Sequence, residues 1–411
     1  MLKKMPAITS QKCKARLKLD FSQVNSDLLR CGNVVSVGGG LRSALGAQQM
    51  DFSVDAVKVV VEHDGILYVL GANGLYSCHD GEAIRIISKV DYTACSNLFQ
   101  GVLMFSGPKT GAYLLNGDSA TLKAKIMAIS MAVCCDRRFA LEENNNIVVT
   151  TIGPTDWSDY FRVTPNTKLN ALVAIGKKLY ALGDTCYVFE PHPTDNLDVT
   201  FRAMCQGIGV VQTDTQATFG KKAVFATDSG LRLLQSDSVN PIFCKLNDFV
   251  SFTGSVACAH KGLYYVSCKR LDGLQEQNDV TLILDVHNEK IVGIIDMGWE
   301  NLYSSGETLY ATKDGKLFKL GGNAVASHWF ATVDFDNPSL KFLDSLFVKS
   351  KYDAELTVTG DNSSVCYKVT GKNGIQRLPV SGVGRTFTLE IQAQDGLQVD
   401  YAELTARRYE V

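Results

Sequence analysis

The chain of 411 residues lacks several patterns that would place it in a familiar class of protein. No apolar run approaches the ~18 residues of a membrane-spanning helix, so no membrane partner is predicted. No apolar h-region follows the N-terminal lysines, so no secretory signal is predicted. Lys and Arg number 41 against 43 Asp and Glu, and this net charge of −2 gives no support for nucleic acid as a partner.

The sequence also lacks the motifs of catalysis and metal binding. Its 12 Cys form no C-x-x-C and lie mostly in apolar runs, which predicts buried free thiols in a reducing cytosol. Neither H-E-x-x-H, nor G-x-G-x-x-G, nor a calcium-loop pattern occurs. Cys258 and His260 are predicted on one strand face, either as a dyad or as two packed side chains, but no third group that would orient a dyad is identifiable. We therefore predict no enzyme activity, no cofactor and no metal.

What the sequence does contain is one pattern repeated seven times: a turn, an apolar strand, a second turn and another strand. A step of about 40 residues holds four strands with their turns, and such sheets bury one another when they stack radially as propeller blades. We predict an all-β fold with a seven-bladed β-propeller, six or eight blades and an ordinary β-sandwich being the alternatives. The seven copies begin near Gly65, Gly101, Arg137, Gly176, Gly220, Gly262 and Gly306.

The repeats stop near residue 327, and shorter strands separated by turns follow. This pattern predicts a small C-terminal β-sandwich or jelly-roll domain. The predicted domains are 1–50, a strand segment that completes or precedes the propeller; 51–327, the propeller; and 328–411, the β-sandwich. The six strands expected in the last domain are Phe330–Phe335, Leu343–Lys349, Ala354–Thr359, Val365–Val369, Thr386–Ile391 and Tyr401–Tyr409.

The segment 12–21 alternates basic and apolar residues. Lys12, Lys14, Arg16 and Lys18 are predicted on one face of a half-buried strand. One interpretation is a contact to DNA or to an acidic partner. The other is an edge strand that lysine protects from aggregation, or a strand that completes the last blade.

Two groups of aromatic residues are candidates for a protein-interaction surface. Exposed aromatic and Arg side chains commonly carry the binding energy of interfaces. The alternative is that these aromatic side chains pack between the blades. The first group is Trp157, Tyr160, Phe161 and Arg162, and the second is Trp299 with Tyr303.

Three segments resemble β-propeller proteins of bacteriophage or prophage tails and head–tail connectors. The run from Asn33 to Gly46, with its Gly-Leu-Arg turn, resembles their opening. Gly153-Pro-Thr-Asp-Trp157 resembles their mid-chain turn, and Asp334-Phe-Asp-Asn-Pro-Ser-Leu-Lys341 resembles the start of their C-terminal β-domain. Two departures from this pattern are Ala44-Leu45 in place of the usual Pro and the Asp that precedes Trp157.

The resemblance implies a non-enzymatic structural protein of the virion. Such a protein is a propeller hub or adaptor that contacts other virion proteins in the tail or neck, assembles as a homo-oligomeric ring, and is built into the particle in the host bacterial cytoplasm. The alternative is a receptor- or glycan-binding propeller module, in which aromatic side chains stack on sugars. The three Trp residues, at 157, 299 and 329, do not fall at equivalent repeat positions, which counts against that alternative.

Overall fold

The computed structural model describes most of the chain. Within the described ranges the chain is all-β, as predicted: these residues form no α-helix, and a short 3-10 turn lies at Cys244–Asp248. None of these residues forms a helix with the length and apolar character that crossing a bilayer requires. The described residues are 14–21, 30–50, 54, 57, 59–71, 74–79, 82–88, 95–107, 111–116, 119–192, 194, 199–272, 276–335, 340–361, 363–372 and 374–408.

Four strands precede five four-stranded sheets, in which each strand pairs antiparallel with the next along the chain. The preceding strands are β1 (Lys14–Lys18), β2 (Val34–Val37), β3 (Gly40–Ser43) and β4 (Leu45–Gln49). Sheet 1 contains β5 (Val59–His63), β6 (Ile66–Gly71), β7 (Gly74–His79) and β8 (Glu82–Ser88); sheet 2 contains β9 (Cys95–Phe99), β10 (Val102–Gly107), β11 (Gly111–Asn116) and β12 (Ser119–Ala124). Sheet 3 contains β13 (Ala128–Cys134), β14 (Arg137–Glu142), β15 (Ile147–Thr150) and β16 (Trp157–Val163); sheet 4 contains β17 (Leu169–Ile175), β18 (Lys178–Gly183), β19 (Cys186–Pro191) and β20 (Val199–Cys205); sheet 5 contains β21 (Ala217–Phe219), β22 (Lys222–Thr227), β23 (Gly230–Gln235) and β24 (Ser238–Ile242).

Two further sheets and a group of C-terminal strands follow. Sheet 6 contains β25 (Val250–His260), β26 (Leu263–Arg270) and β27 (Val280–Asp285), and β28 (Lys290–Ile295) comes next in the chain. Sheet 7 contains β29 (Asn301–Ser305), β30 (Thr308–Lys313), β31 (Lys316–Ala324) and, as its fourth strand, β4 from the N-terminal segment. The remaining strands are β32 (Ser327–Asp334), β33 (Lys341–Ser350), β34 (Ala354–Thr359), β35 (Ser364–Val369), β36 (Gln376–Pro379), β37 (Val383–Gly384), β38 (Thr386–Ala393) and β39 (Gln398–Arg408).

The chain divides into two compact units. Unit 1 comprises 1–46, 290–296 and 323–411, and unit 2 comprises 47–289 and 297–322. Two of the breaks between the units lie close to the predicted domain boundaries, while the assignment of 290–296 to unit 1 has no counterpart in the sequence pattern. The three-domain division stays a prediction.

The sheets of unit 2 follow one another in a closed order. The first strand of each sheet contacts the first strand of the next sheet, and β29 of sheet 7 contacts β5 of sheet 1. Apolar side chains fill the space between neighbouring sheet faces, for example Tyr68 with Phe105 between sheets 1 and 2, and Val69 with Tyr310 between sheets 1 and 7. A ring in which each sheet buries the face of its neighbour is the arrangement of a β-propeller.

The two-residue turn between the first and second strands recurs in every sheet of unit 2, where the sequence repeats predict it. Such short hairpin turns need positive φ, which glycine adopts without strain. The third repeat has no Gly there: Cys135 and Asp136 form the turn with φ of 50° and 55°. The first turns are 64–65, 100–101, 135–136, 176–177, 220–221, 261–262 and 306–307.

Unit 1 contains two antiparallel sheets. The first has the order β28-β2-β3-β39-β33-β36, with β1 paired to β39 and β37 paired to β33, and the second has the order β32-β38-β34-β35. Side chains alternate between buried and accessible along β33 and β38, so each sheet has one apolar face. Trp329 is fully buried, with the Phe21 ring edge-on at 5.2 Å. All six strands expected after residue 327 are present, with ends shifted by up to three residues.

Candidate functional site

The seven first turns lie on one side of unit 2, because the first strands of successive sheets run side by side and several neighbouring turns are in contact. His63 Nε2 of sheet 1 lies 3.2 Å from the Gly101 carbonyl oxygen of sheet 2. The Cys135 thiol of sheet 3 lies 3.4 Å from the Lys177 carbonyl oxygen of sheet 4. We call the surface formed by these turns the first-turn face.

Contacts among sheets 6, 7 and 1 complete this side of the ring. Lys261 Nζ lies 3.0 Å from Glu307 Oε2, linking the first turns of sheets 6 and 7. Ser305 Oγ accepts a hydrogen bond from the Glu62 amide at 3.0 Å and donates to the Glu62 carbonyl at 3.3 Å. His260 Nδ1 lies 2.9 Å from Ser304 Oγ, between the first strands of sheets 6 and 7. The turns therefore stand on a scaffold that fixes their relative positions.

Charge is unevenly distributed on the first-turn face. The sequence Gly-Lys-Lys forms the turn of sheet 4, with Lys177 exposed, and again the turn of sheet 5, with Lys221 exposed. The turns of sheets 1, 3 and 7 instead carry exposed Asp64, Asp136 and Glu307. The face is consequently basic over the adjacent sheets 4 and 5, while its acidic turns lie on sheets 3, 7 and 1.

Asp237 joins the basic side chains of sheets 4 and 5. It lies in the turn between β23 and β24, at the same end of sheet 5 as the first turn. Its Oδ2 lies 2.6 Å from Lys178 Nζ and 2.8 Å from an Arg202 guanidinium nitrogen, and its Oδ1 accepts a hydrogen bond from the Tyr180 hydroxyl at 2.7 Å. Lys178 Nζ also lies 3.0 Å from Glu190 Oε1. One carboxylate thus holds three side chains of sheet 4 against sheet 5.

The ionisation of this cluster reflects its hydrogen bonds. The bond from Lys178, followed by the one from Tyr180, lowers the pKa of Asp237. The bonds to Asp237 and Glu190 raise the pKa of Lys178. Burial, then the bond to Asp237, raises the pKa of Tyr180. All three groups therefore keep their ordinary charge state at neutral pH.

Three lysines of the same region take no part in these pairs. Among the described residues, the Lys and Arg side chains that form ion pairs on this face are Lys178, Arg202 and Lys261, not Lys177, Lys221 or Lys222. Asp195 and Asp198, which belong to the connection between β19 and β20, lie outside the described residues. Lys177 and Lys221 are exposed turn residues, and Lys222 is a partly exposed residue at the start of β22.

The first predicted aromatic group is largely built into unit 2. Phe161 is 9% exposed and packs between sheets 3 and 4, so its prediction as a surface residue is wrong. Trp157 is half-buried against Ala140 and Val148. Arg162 is exposed, with a nitrogen 3.8 Å from Glu142 Oε2, and the Tyr160 side chain lies outside the described residues. These aromatic rings fill space between strands because their own sheet leaves an apolar face to cover.

The second predicted aromatic group is also buried. Trp299 is 2% exposed and its ring centroid lies 5.4 Å from that of Phe318, so its prediction as a surface residue is wrong as well. Tyr303 is half-buried and packs against the cores between sheets 7, 1 and 2. Trp299 also lines a cavity of about 280 Å³ together with Thr253, Asn278, Glu300 and Lys313. With Trp329 fully buried, none of the three Trp side chains is exposed for stacking on a sugar.

The predicted basic strand lies in unit 1. β1 pairs antiparallel with β39, with Leu17 opposite Leu404, and so has the position of an edge strand. Arg16 is exposed and lies 4.0 Å from Glu403, and Lys18 Nζ lies 5.6 Å from the centre of the Tyr401 ring. Lys12 and the Lys14 side chain lie outside the described residues. The strand that completes sheet 7 is β4, not β1.

The candidate catalytic and metal-binding residues are not brought into reactive groups. Burial raises the pKa of the Cys258 thiol to about 12, which keeps it protonated and unreactive at neutral pH. His260 contacts Ser304, and burial lowers its pKa. Among the described residues no three His, Cys, Asp or Glu side chains converge as metal ligands.

Sequence reasoning missed Lys177, Lys178, Lys221 and Lys222. The signal was present, because the turn Gly-Lys-Lys occurs at the same repeat position in two consecutive copies. Residues at one repeat position come to one face of a radial array. A search for charge shared between equivalent positions would have found this patch.

Comparisons with known proteins assign no family. No family model matches the chain, and no curated protein matches it. Solved structures that resemble it are the WD40 β-propeller domain of Doa1 (12% identity, TM-score 0.47, covering 67% of this chain and 96% of that one) and BamB from Moraxella catarrhalis (12%, 0.43, 76% and 100%). A third is PorZ of the type-IX secretion system of Porphyromonas gingivalis (9%, 0.47, 78% and 46%). None of these descriptions names a phage protein, so the virion resemblance stays a prediction.

Proposed function

We propose that this chain is a non-enzymatic binding module that uses the first-turn face of unit 2 to bind an acidic segment of a partner protein. In this proposal unit 2 is a seven-bladed β-propeller, since seven first strands follow one another in the closed ring. Unit 1 is a β-sandwich made of its two sheets. The observation that carries the binding proposal is the pair of adjacent Gly-Lys-Lys turns.

Physical arguments favour this surface over the predicted aromatic groups. Lys177, Lys221 and Lys222 are not committed to the ion pairs described above, whereas Trp299 and Phe161 are occupied by packing. Their turns belong to hairpins whose backbone is fixed, so a partner orders few residues on binding. Complementary charge chiefly speeds association and selects partners, and at 0.15 M salt it acts over about 8 Å.

A direct test uses a fluorescent Glu- and Asp-rich peptide as the probe. The double variant Lys177→Glu/Lys221→Glu is compared with Lys316→Glu/Lys319→Glu, which makes the same change in net charge on exposed residues of β31. We expect wild type and the β31 variant to bind the peptide with an affinity that falls as salt rises. The first-turn variant should bind at least about tenfold more weakly, a loss of ~1.4 kcal/mol.

Three results would contradict the proposal. They are no binding of the peptide by the wild-type chain, equal losses in the two double variants, and tighter binding of duplex DNA than of the peptide. Circular dichroism and thermal unfolding establish that each variant is folded before binding is compared.

The narrower proposal, a virion protein of a phage tail or neck, is supported by the sequence resemblance alone. Its partners would be other virion proteins, and its oligomer a ring. Light scattering coupled to size exclusion tests it, with the 44.8 kDa chain alone and mixed with proteins of an induced phage lysate. Co-elution with identified tail or neck proteins in a large particle is the expected result, and a monomer unchanged by the lysate would contradict it.

A further inference from the structure

Two cysteines of sheet 4 face each other across neighbouring strands. Cys186 is the first residue of β19 and Cys205 is the last residue of β20, and the two are direct partners in the antiparallel register. Both are free thiols in this structure. Directly opposite residues of an antiparallel pair have Cα atoms about 4.5–5.5 Å apart. That separation lies inside the ~4.4–6.8 Å that a disulfide spans.

The two thiols have different environments. Cys186 is fully buried in the core between sheets 4 and 5, and its sulfur lies 3.7 Å from the Gly183 carbonyl oxygen. Cys205 is half-buried at the edge of that core. Interaction with Cys186 lowers the pKa of Cys205, whereas the same interaction, followed by burial, raises the pKa of Cys186.

This asymmetry distinguishes Cys205 from two cysteines elsewhere in unit 2. Burial raises the pKa of Cys78 to about 11 and that of Cys258 to about 12, so neither is a thiolate at neutral pH. Redox-sensitive cysteines combine a low thiol pKa, access to solvent and a neighbouring thiol that resolves the oxidised form. Cys205 has the first two properties, and Cys186 supplies the third.

The local backbone accommodates a link between the two sulfurs. The register shifts between Cys186 and Tyr187, so that Met204 forms a bulge beside the pair. The pair therefore lies at the end of the ladder between β19 and β20, and the bulge separates it from the remaining residue pairs.

We propose that Cys186 and Cys205 form a reversible disulfide when the protein meets a hydroperoxide. The Cys205 thiolate attacks one peroxide oxygen, the O–O bond breaks, and Cys205 becomes a sulfenic acid as the peroxide is reduced. The Cys186 sulfur then attacks the Cys205 sulfur. The S–O bond breaks, and the departing hydroxide takes the Cys186 proton and leaves as water. A dithiol reductant restores both thiols by exchange.

The test is a map of disulfides in the full-length protein. The chain is treated with hydrogen peroxide, its remaining thiols are alkylated, and its peptides are analysed by mass spectrometry with and without dithiothreitol. We expect a Cys186–Cys205 linked peptide, two hydrogen atoms lighter than its reduced parts, which disappears on reduction. The adjacent pair Cys134 and Cys135, with sulfurs 3.9 Å apart, is the internal comparison. Both thiols should stay reduced during the peroxide treatment and be recovered as alkylated cysteines.

Single substitutions separate the role of Cys205, which reacts with the peroxide, from that of Cys186, which forms the disulfide with the oxidised sulfur. Cys205→Ser should abolish the link. Cys186→Ser should leave a sulfenic acid on Cys205 that the trapping reagent dimedone labels. Cys244→Ser removes an exposed thiol elsewhere and should leave the linked peptide unchanged.

Oxidation of the exposed Cys244 or Cys366 without a Cys186–Cys205 link would overturn the proposal. So would a Cys186→Ser protein in which dimedone labels those exposed cysteines but not Cys205. The linked peptide of the wild-type protein decides the question if a variant does not fold.

Discussion

The bond between Ser267 and Trp299 tests how unit 2 joins one sheet to the next. Ser267 is a fully buried residue of β26, and Trp299 lies in the segment that leads to sheet 7. Ser267 Oγ accepts a hydrogen bond from the Trp299 amide at 2.7 Å and donates to the Trp299 carbonyl at 3.2 Å. The substitution Ser267→Ala removes both bonds and little volume.

The expected loss of stability depends on which hydrogen-bond partners the Trp299 amide and carbonyl keep after the substitution. The Trp299 carbonyl retains a hydrogen bond from Asn278 Nδ2 at 3.1 Å, whereas the Trp299 amide loses its Ser267 partner in a buried position. A buried donor left without a partner costs about 1–3 kcal/mol. We therefore expect Ser267→Ala to lower the free energy of unfolding by about 2 kcal/mol, most of it from the amide.

Urea unfolding of the full chain, followed by tryptophan fluorescence, measures this change. The matched control is Ser238→Ala, an exposed Ser on β24, which should change the free energy of unfolding by less than about 0.5 kcal/mol. In the double variant with Asn278→Ala the carbonyl also loses its remaining partner, so the loss should exceed the sum of the single losses. A Ser267→Ala loss no larger than that of the control, or strict additivity in the double variant, would refute this reasoning.

Three further predictions concern other parts of unit 2. Ser106→Ala should destabilise the chain by about 1–2 kcal/mol in the same urea assay, because its hydroxyl donates to Ile126 O at 2.6 Å and accepts from Ala128 N at 3.0 Å. Gly101→Ala should cost about 1–2 kcal/mol through backbone conformation alone, since φ is 73° and the added methyl group meets nothing within 4 Å; an unchanged urea midpoint would contradict this. The pKa of Asp237 is lowered in the folded state, so its ionised carboxylate stabilises the fold above the ordinary carboxyl pKa of about 3.9 and this stabilisation is lost as the pH falls through the folded-state pKa. The free energy of unfolding of the wild-type chain should therefore exceed that of Asp237→Asn by less below about pH 4 than at neutral pH. A difference that stays constant down to acid pH would count against the cluster.

The positions of the repeated turns were predictable from sequence because turn chemistry is local. A glycine shortly before an apolar run marks six of the seven first turns, and each turn lies at the position where the repeat predicts it. The third turn is harder to recognise, because Cys135 and Asp136 adopt positive φ without glycine. β4 could not be assigned to sheet 7 from sequence, since its pairing depends on where a distant segment ends and not on its own residues.

The candidate site was predicted less well because aromatic residues are typical both of exposed interfaces and of the packed space between sheets. Trp299 was a candidate interface residue because exposed aromatic side chains commonly carry binding energy, but its indole fills the gap between sheets 6 and 7. Burying a side chain of that size is among the larger single stabilising contributions available to a β-sheet protein. Whether such a residue is exposed depends on whether a neighbouring sheet packs against it, and this tertiary contact cannot be predicted from the residues around Trp299.

Sheet 4 brings together the two features that the sequence did not single out. Arg202 and Cys205 lie three positions apart on β20, one bound to Asp237 of sheet 5 and the other opposite Cys186. A disulfide at the end of β20 would restrict the strand that carries Arg202. If oxidation shifts Arg202 away from Asp237, the carboxylate loses one cation while Lys178 remains, and the basic region gains an uncommitted guanidinium. Oxidised protein should then bind the acidic peptide more tightly than reduced protein, and the Cys205→Ser variant should show no such difference between peroxide-treated and untreated samples. Equal peptide affinity of oxidised and reduced wild-type protein would mean that the thiol pair and the first-turn face act independently.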